Sequence, residues 1–273
     1  MKTNGNIAAC LGAVLLFAAG CGGGGQSESA LPVGEISGSA LLSSPYVNWY
    51  GRDYADEEKG AVMFNYSAAG FETSFEGTSL SATMYGADSG EGYGNTFLSV
   101  FVDGEEKVLE LSDGNGDYVL CEGLDAGRHT VKVVKRTELQ FTSAGLVSLE
   151  TDGHFLPAPE RPELKFEFFG DSITCGYGAI SEIGEKGFKT STEDALSTYA
   201  YLTAEHFGAQ SNFICYSGWY ISKSVTGTTD GDIGAVYDKY SKDHRAAWDF
   251  ASYIPDVVIV NIGANDENYI NLC

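Results

Sequence analysis

The chain has 273 residues, 38 of them Asp or Glu against 16 Lys or Arg, and a formal charge of −22. Such an acid excess speaks against nucleic acid and against anionic lipid surfaces, which both attract basic patches, and suits a neutral partner. The length allows about two domains.

Residues 1–20 read as a targeting segment. Lys2 gives a weakly positive start, and the apolar stretch from Ile7 to Ala19 is broken by Cys10 and Gly12. It is shorter than the ~20 apolar residues that span a bilayer, so it predicts a signal peptide. Phe17-Ala18-Ala19-Gly20-Cys21 puts small residues before a cysteine, as in a bacterial lipobox. Cleavage before Cys21 would leave that cysteine to carry the lipid; an ordinary signal peptide with a chance cysteine is the alternative. The expectation is an exported protein of the bacterial cell envelope, held to the membrane only by its anchor at Cys21. Losing residues 1–20 removes one lysine and no acid, taking the charge to −23. Residues 21–31, rich in Gly and Ser, read as a flexible tether. The other cysteines, Cys121, Cys175, Cys215 and Cys273, are too few for a disulfide scaffold. Cys175 and Cys215 are expected to be buried free thiols.

Residues 32–156 read as β structure. Apolar runs recur at Ala61–Tyr66, Phe97–Val102 and Thr130–Val134, punctuated by Asp103-Gly104, Asp113-Gly114-Asn115-Gly116 and Ala126-Gly127. Asp103-Gly104 between two runs signals a hairpin, because that turn needs positive φ. Many short, evenly spaced strands predict a β-sandwich of jelly-roll type. Residues 157–163, with Pro157, Pro159 and Pro162, form a stiff connector and mark the domain boundary.

From residue 164 to 273 the periodicity changes. Leu164–Phe169, Asn212–Tyr216 and Val257–Ile262 read as buried strands. Between the first two, Leu196, Tyr199, Ala200, Thr203 and Phe207 share one helical face. Ser191 and Asp194 have capping-box spacing, and Gly208 suits the helix end. A second helix is expected over about 234–253. Strands alternating with helices predict a parallel α/β sheet, with ligands at the carboxyl ends of its strands.

Those ends carry the chemistry. The first reads Gly170-Asp171-Ser172-Ile173-Thr174-Cys175-Gly176-Tyr177-Gly178, the second Tyr216-Ser217-Gly218-Trp219, the third Gly263-Ala264-Asn265-Asp266. Ser172 is a candidate nucleophile. Its own N–H, the N–H of Gly218 and the side-chain amide of Asn265 are candidate oxyanion donors. Each has a plainer reading, as a capping turn, a turn glycine and an Asx turn; the three together favour catalysis.

These blocks resemble the first three of the SGNH (GDSL-type) hydrolases. The string from Gly170 to Gly178 resembles the family 2 carbohydrate esterases, as do Val133–Glu138 and Tyr199-Ala200-Tyr201-Leu202. The resemblance covers about residues 45–266. It implies a flavodoxin-like SGNH hydrolase domain behind a β-sandwich, and a serine esterase that removes O-acetyl groups from plant cell-wall polysaccharides such as acetyl xylan or glucomannan, or from their oligosaccharides. It implies Ser172 attacking the acetyl carbonyl, the oxyanion held by Ser172, Gly218 and Asn265, and no metal or organic cofactor. Two departures stand out. Tyr220 replaces a second glycine of the family pattern, and the pattern's catalytic histidine belongs to a fourth block, after two further strands. The sequence stops at Cys273, so the hydrolase part is expected to be incomplete and this chain alone inactive, with Val257–Ile262 at an exposed edge. His129, His154, His206 and His244 do not sit where that histidine is expected; His244 is the least poor substitute. A non-catalytic carbohydrate-binding surface lipoprotein using sandwich aromatics such as Trp49 and Tyr50 is the alternative, and an esterase for small lipids a third reading.

Overall fold

The computed structural model describes residues 34–88, 90–221 and 232–266. The expected signal peptide, Cys21, the expected tether and Cys273 lie outside them.

Twelve antiparallel strands come first: β1 (Glu35–Ser37), β2 (Val47–Tyr50), β3 (Tyr54–Asp56), β4 (Ala61–Met63), β5 (Gly70–Gly77), β6 (Leu80–Asp88), β7 (Thr96–Val102), β8 (Glu105–Leu111), β9 (Gly114–Cys121), β10 (Gly127–Lys135), β11 (Thr142–Thr151) and β12 (His154–Leu156). One sheet runs β3-β4-β11-β6-β9, with β1 also on β11; the other runs β12-β5-β10-β7-β8, with β2 also on β5. The alternation along β6 buries Leu80, Ala82, Met84 and Gly86 on one face. From the first sheet Val62, Met84 and Leu146, and from the second Phe71, Val100 and Val131, enter one common core, so the two sheets form a sandwich. Trp49 is part of that core, 5.7 Å from Phe71 between ring centroids, and its indole N–H donates to Leu41 O. It is not a surface platform for sugar.

The Asp103-Gly104 hairpin is as expected: both residues have positive φ, +50° and +92°, and they join β7 to β8. The second glycine cluster differs. Of its four residues only Asp113 lies outside a strand; Gly114, Asn115 and Gly116 are already in β9, opposite Gly86, Tyr85 and Met84. Gly116 is accommodated there because the Tyr118 ring covers it, within 3.0 Å of where a Cβ would stand.

The second half is a parallel sheet of three strands among the described residues: β13 (Lys165–Gly170), β14 (Gln210–Cys215) and β15 (Val257–Asn261). Their order, β14-β13-β15, is the 2-1-3 order with which flavodoxin-like sheets begin. Helix α1 (Ser172–Cys175) follows β13, and α2 (Tyr199–Phe207) leads into β14. Gly208 ends α2 in the left-handed conformation, φ +58°, as expected. Its start is corrected: Thr198 caps it, while Asp194 caps a separate short turn at Ala195–Ser197. The helix expected over 234–253 does not form. A single 3₁₀ turn at Ile233–Ala235 is followed by turns and a bridge between Lys239 and Ala247. The carbonyls of Tyr237 and Lys239, which a helix would need, accept hydrogen bonds from the buried Arg52 guanidinium instead. At the edge, Val257, Val258 and Val260 of β15 are 41, 51 and 62 % exposed. Cys121, Cys175 and Cys215 are buried free thiols.

The sandwich leaves no room for a side chain at Gly70, where a Cβ would lie 1.9 Å from Val133 O of the paired strand. Gly70→Ala should therefore destabilise by about 1–3 kcal/mol, as overpacking does. Phe71→Ala, which empties the centre of the same core, should cost about 3–5 kcal/mol. Both should appear as lowered urea midpoints at unchanged slope; a Gly70→Ala midpoint equal to wild type would show that β5 and β10 separate freely.

Candidate active site

The register of the parallel sheet brings the three strand ends together. Gly170 lies opposite Cys215 on one side and Asn261 on the other. The chain leaves β13 through Asp171, whose side chain accepts from Ile173 N at 3.0 Å. The backbone carbonyl of Asp171 accepts from Thr174 N and Cys175 N. This is the capping turn that the plainer reading of Asp171-Ser172 anticipates. Asp171 is buried, and burial pushes its acid up against the pull of the Ile173 N–H. The turn folds back so tightly that a Cβ on Gly170 would meet Thr174 Oγ1 at 1.9 Å. It closes at Gly176, φ +88°, where a Cβ would meet Asp194 O at 2.3 Å. Two glycines thus fix the Ser172 turn, one by space and one by both space and conformation.

Capping satisfies the other amides of this turn and leaves Ser172 over. Among the described residues neither its N–H nor its hydroxyl has a hydrogen-bond partner. Gly218 follows β14 at φ +82°, and its N–H is likewise unengaged. Nothing lies within 4 Å of where its Cβ would be, so conformation rather than space selects glycine there. Asn265 follows β15 in a 3₁₀ turn, Ala264–Asp266. Its Nδ2 donates to Trp219 O at 2.8 Å, which spends one amide hydrogen and ties its loop to that of Gly218. Asp266 reinforces the tie, accepting from Ile221 N at 2.9 Å.

The four histidines are engaged elsewhere. His129 pairs with Asp103 and with Asp125 O. His154 lies in β12 opposite Glu76, and His206 packs edge-on against Phe207. The ring of His244 stacks on Tyr54 at 4.0 Å. None contacts Ser172, Gly218 or Asn265.

Two groups of residues beside the site had no role in the sequence reading. An aromatic pile borders the Ser172 turn. Tyr177, whose N–H donates to Ser172 O, stacks on Phe188 at 3.9 Å, and Phe188 packs on Phe141 and Tyr93 of the sandwich half. Tyr177 stays 46 % exposed. The second is a buried charged cluster, with Lys135 and Glu138 from the sandwich half and Glu193 from the other. Glu138 accepts from both the N–H and the hydroxyl of Ser217. The signal for it was the charged run Lys135-Arg136-Thr137-Glu138 at the end of an apolar strand, charges where a surface loop was the default.

Comparison with known proteins matches both halves of the chain. Residues 49–159 match the family model for the carbohydrate esterase 2 N-terminal domain, and residues 166–271 that for GDSL-like lipase/acylhydrolase. The chain is 32 % identical over 227 residues to the cellulase/esterase CelE of Acetivibrio thermocellus, covering 77 % of this chain and 27 % of that protein. It is 30 % identical over 229 residues to an acetylxylan esterase/glucomannan deacetylase of Cellvibrio japonicus, covering 82 % of this chain and 62 % of that one. It therefore spans less than two thirds of each. The structure of a family two carbohydrate esterase from Clostridium thermocellum, in complex with cellohexaose, superposes with a TM-score of 0.73 at 29 % identity, covering 81 % of this chain and 66 % of that one. With its two halves matched in order by the models for the carbohydrate esterase 2 N-terminal domain and for GDSL-like lipase/acylhydrolase, the chain belongs to the family 2 carbohydrate esterases.

Proposed function

We propose that the protein is a serine esterase that removes O-acetyl groups from plant cell-wall polysaccharide, acetyl xylan or glucomannan, at Ser172. The observation that supports this reading is that Ser172, Gly218 and Asn265 follow adjacent ends of parallel strands, each with an N–H hydrogen that no described group takes up.

Ser172 Oγ attacks the acetyl carbonyl carbon and passes its proton to a general base, which is a histidine in the family pattern. The carbonyl oxygen becomes an oxyanion facing the three donors. Collapse expels the sugar hydroxyl, which takes up the proton and leaves an acetyl-enzyme. Water then attacks the acetyl carbon, and acetate departs as Ser172 regains its hydrogen. Acid on the protein surface does not repel the uncharged sugar chain, and an acetyl group needs only a small acyl pocket. The aromatic pile at Tyr177 offers one wall along which the polysaccharide lies. The protein is exported and carries lipid at Cys21, which keeps the enzyme at the cell surface where polymer is met.

In the full-length protein, Ser172→Ala should abolish acetate release from acetylated xylan and glucomannan, and Asn265→Ala should slow it by about 10²–10³ through loss of one donor. Acetyl esters should be preferred to long acyl chains; a preference for acyl groups of about eight carbons or more would move the site to small lipids. Binding of the polysaccharide with no acetate released would instead support a non-catalytic carbohydrate-binding lipoprotein. For the anchor, Cys21→Ser should shift the protein from the membrane fraction to the soluble fraction or leave it unprocessed. Unchanged membrane partition and processing would rule out lipidation at Cys21.

A further inference from the structure

The segment joining β10 to β11 belongs to the sandwich in sequence but packs under the carboxyl ends of the parallel sheet. Arg136 O accepts from Ala195 N at 3.0 Å, and the Arg136 guanidinium lies 3.2 Å from Asp194 Oδ2. Glu138 N donates to Glu193 Oε2 at 3.0 Å. The Glu138 side chain, fully buried, then reaches the loop that follows β14. Its Oε2 accepts from Ser217 N at 2.7 Å, its Oε1 accepts from the Ser217 hydroxyl, and the Cys175 thiol of α1 lies 3.6 Å from Oε2. One carboxylate thus touches both the turn that carries Ser172 and the residue before Gly218.

We propose that Glu138 is a positioning residue for the oxyanion loop: by holding Ser217 through both its N–H and its hydroxyl, it aims the N–H of Gly218 at the crevice beside Ser172. The role rests on the esterase reading given above. The bond to Ser217 N fixes the peptide plane ahead of Ser217, and the bond to its hydroxyl fixes the side chain. Downstream, Trp219 N donates to Tyr216 O at 3.2 Å and Asn265 holds Trp219 O. Gly218 between them has no side chain to anchor it, and free glycine visits either sign of φ with little cost. The flanks are pinned, and the N–H of Gly218 is left pointing where no described group uses it.

The chemistry of the cluster fits an anion at Glu138. Ser217 N–H, Ser217 hydroxyl and Cys175 thiol are all donors, and a carboxylate accepts from all of them. Burial pushes the Glu138 acid up and these hydrogen bonds oppose it. The neighbouring Glu193 is pushed well above the usual carboxylate range, by burial first and then by the charge of Glu138. Lys135 Nζ, donating to Thr137 O, Thr142 O and Thr142 Oγ1, supplies the opposing charge close by.

The test is E138Q in the full-length protein, which keeps the shape but turns an amide NH₂ against one of the two Ser217 donors. With acetylated substrate, kcat should fall by about 10- to 100-fold, as for a misaimed oxyanion donor, with KM within about two-fold. Amide hydrogen exchange over residues 217–219 should accelerate by about ten-fold or more while β5 and β10 keep their protection. S217A, which removes only the hydroxyl arm, should show a smaller loss, and E138Q/S217A together should be no slower than E138Q alone. Wild-type kcat and wild-type exchange in E138Q would overturn the proposal, and so would faster exchange spread evenly through the sandwich, the mark of a purely structural residue. Should E138Q fail to fold, S217A decides: unchanged kcat and unchanged exchange at 217–219 count against it. Exchange is read without substrate, so a wild-type protein that released no acetate would end the esterase reading and still leave the exchange result to judge Glu138.

Discussion

Everything at the site hangs on the way β13 is paired. It is the central strand, parallel to a neighbour on each side, and its register sets Gly170 beside both Cys215 and Asn261. A shift of one residue on either side would turn every side chain of that strand to the other face. The chain must then leave β13 in a turn with no room for a side chain at residue 170. Pairing fixes where the three strand ends lie, and the tight turn fixes which atoms of Ser172 remain free there.

The sandwich half supports that arrangement through buried charge. Arg52, from the loop after β2, lies 3.5 Å from Glu167 on β13, both side chains almost wholly buried, and Asn212 of β14 donates to the same carboxylate oxygen at 2.9 Å. Burial pushes the Glu167 acid up, and the guanidinium beside it pulls it back. Such a pair adds little stability compared with a well-packed apolar replacement, while removal of one partner costs about 3–5 kcal/mol because the other is stranded. The same guanidinium takes up the carbonyls of Tyr237 and Lys239 and sits 5.1 Å over the Trp248 ring. One arginine therefore ties the sandwich to the sheet and to the long connection before β15. Arg136 and Glu138 make the corresponding bridge at the other end of the strands. The two halves meet at both ends of β13 through polar groups that tolerate little displacement.

What could be read in the sequence follows from how local each feature is. Asp103-Gly104 declares its hairpin because the turn's geometry needs those residue types, and Gly208 declares the end of α2 for the same reason. Gly170, Ser172, Gly218 and Asn265 were legible because each stands at the end of an apolar run, where a parallel sheet must present its loops. The 234–253 segment misled because its helical pattern was real but its carbonyls were claimed by Arg52, almost two hundred residues away in sequence. Thr198 was passed over as a cap because Ser191 and Asp194 have the spacing of a capping box; Ser191 lies in a short turn of its own, Asp194 caps another, and Thr198 caps the helix. Glu138 was legible only as part of a family-like string. A charged residue after a strand predicts exposure by default, and nothing local says that a serine from another domain will bond it.

An anion placed one residue from an oxyanion loop poses an electrostatic problem, because it repels the charge that develops in the transition state. At the low effective dielectric of a buried site this repulsion is larger than in water. The structure handles it by composition of the cluster rather than by distance. Burial and the neighbouring Glu138 carboxylate both push the Glu193 acid up, which disfavours a second negative charge there. Lys135 stands in the same cluster with three acceptors for its three hydrogens, although burial pulls its ammonium down to about 7. Lys135 beside Glu138, and the burial that disfavours charge on Glu193, both limit the negative charge of the cluster, and what Glu138 exerts on the loop is mainly directional. The donor proposed for the oxyanion belongs to Gly218, one peptide beyond the group that Glu138 holds. The carboxylate therefore fixes orientation without competing for the N–H that the reaction uses.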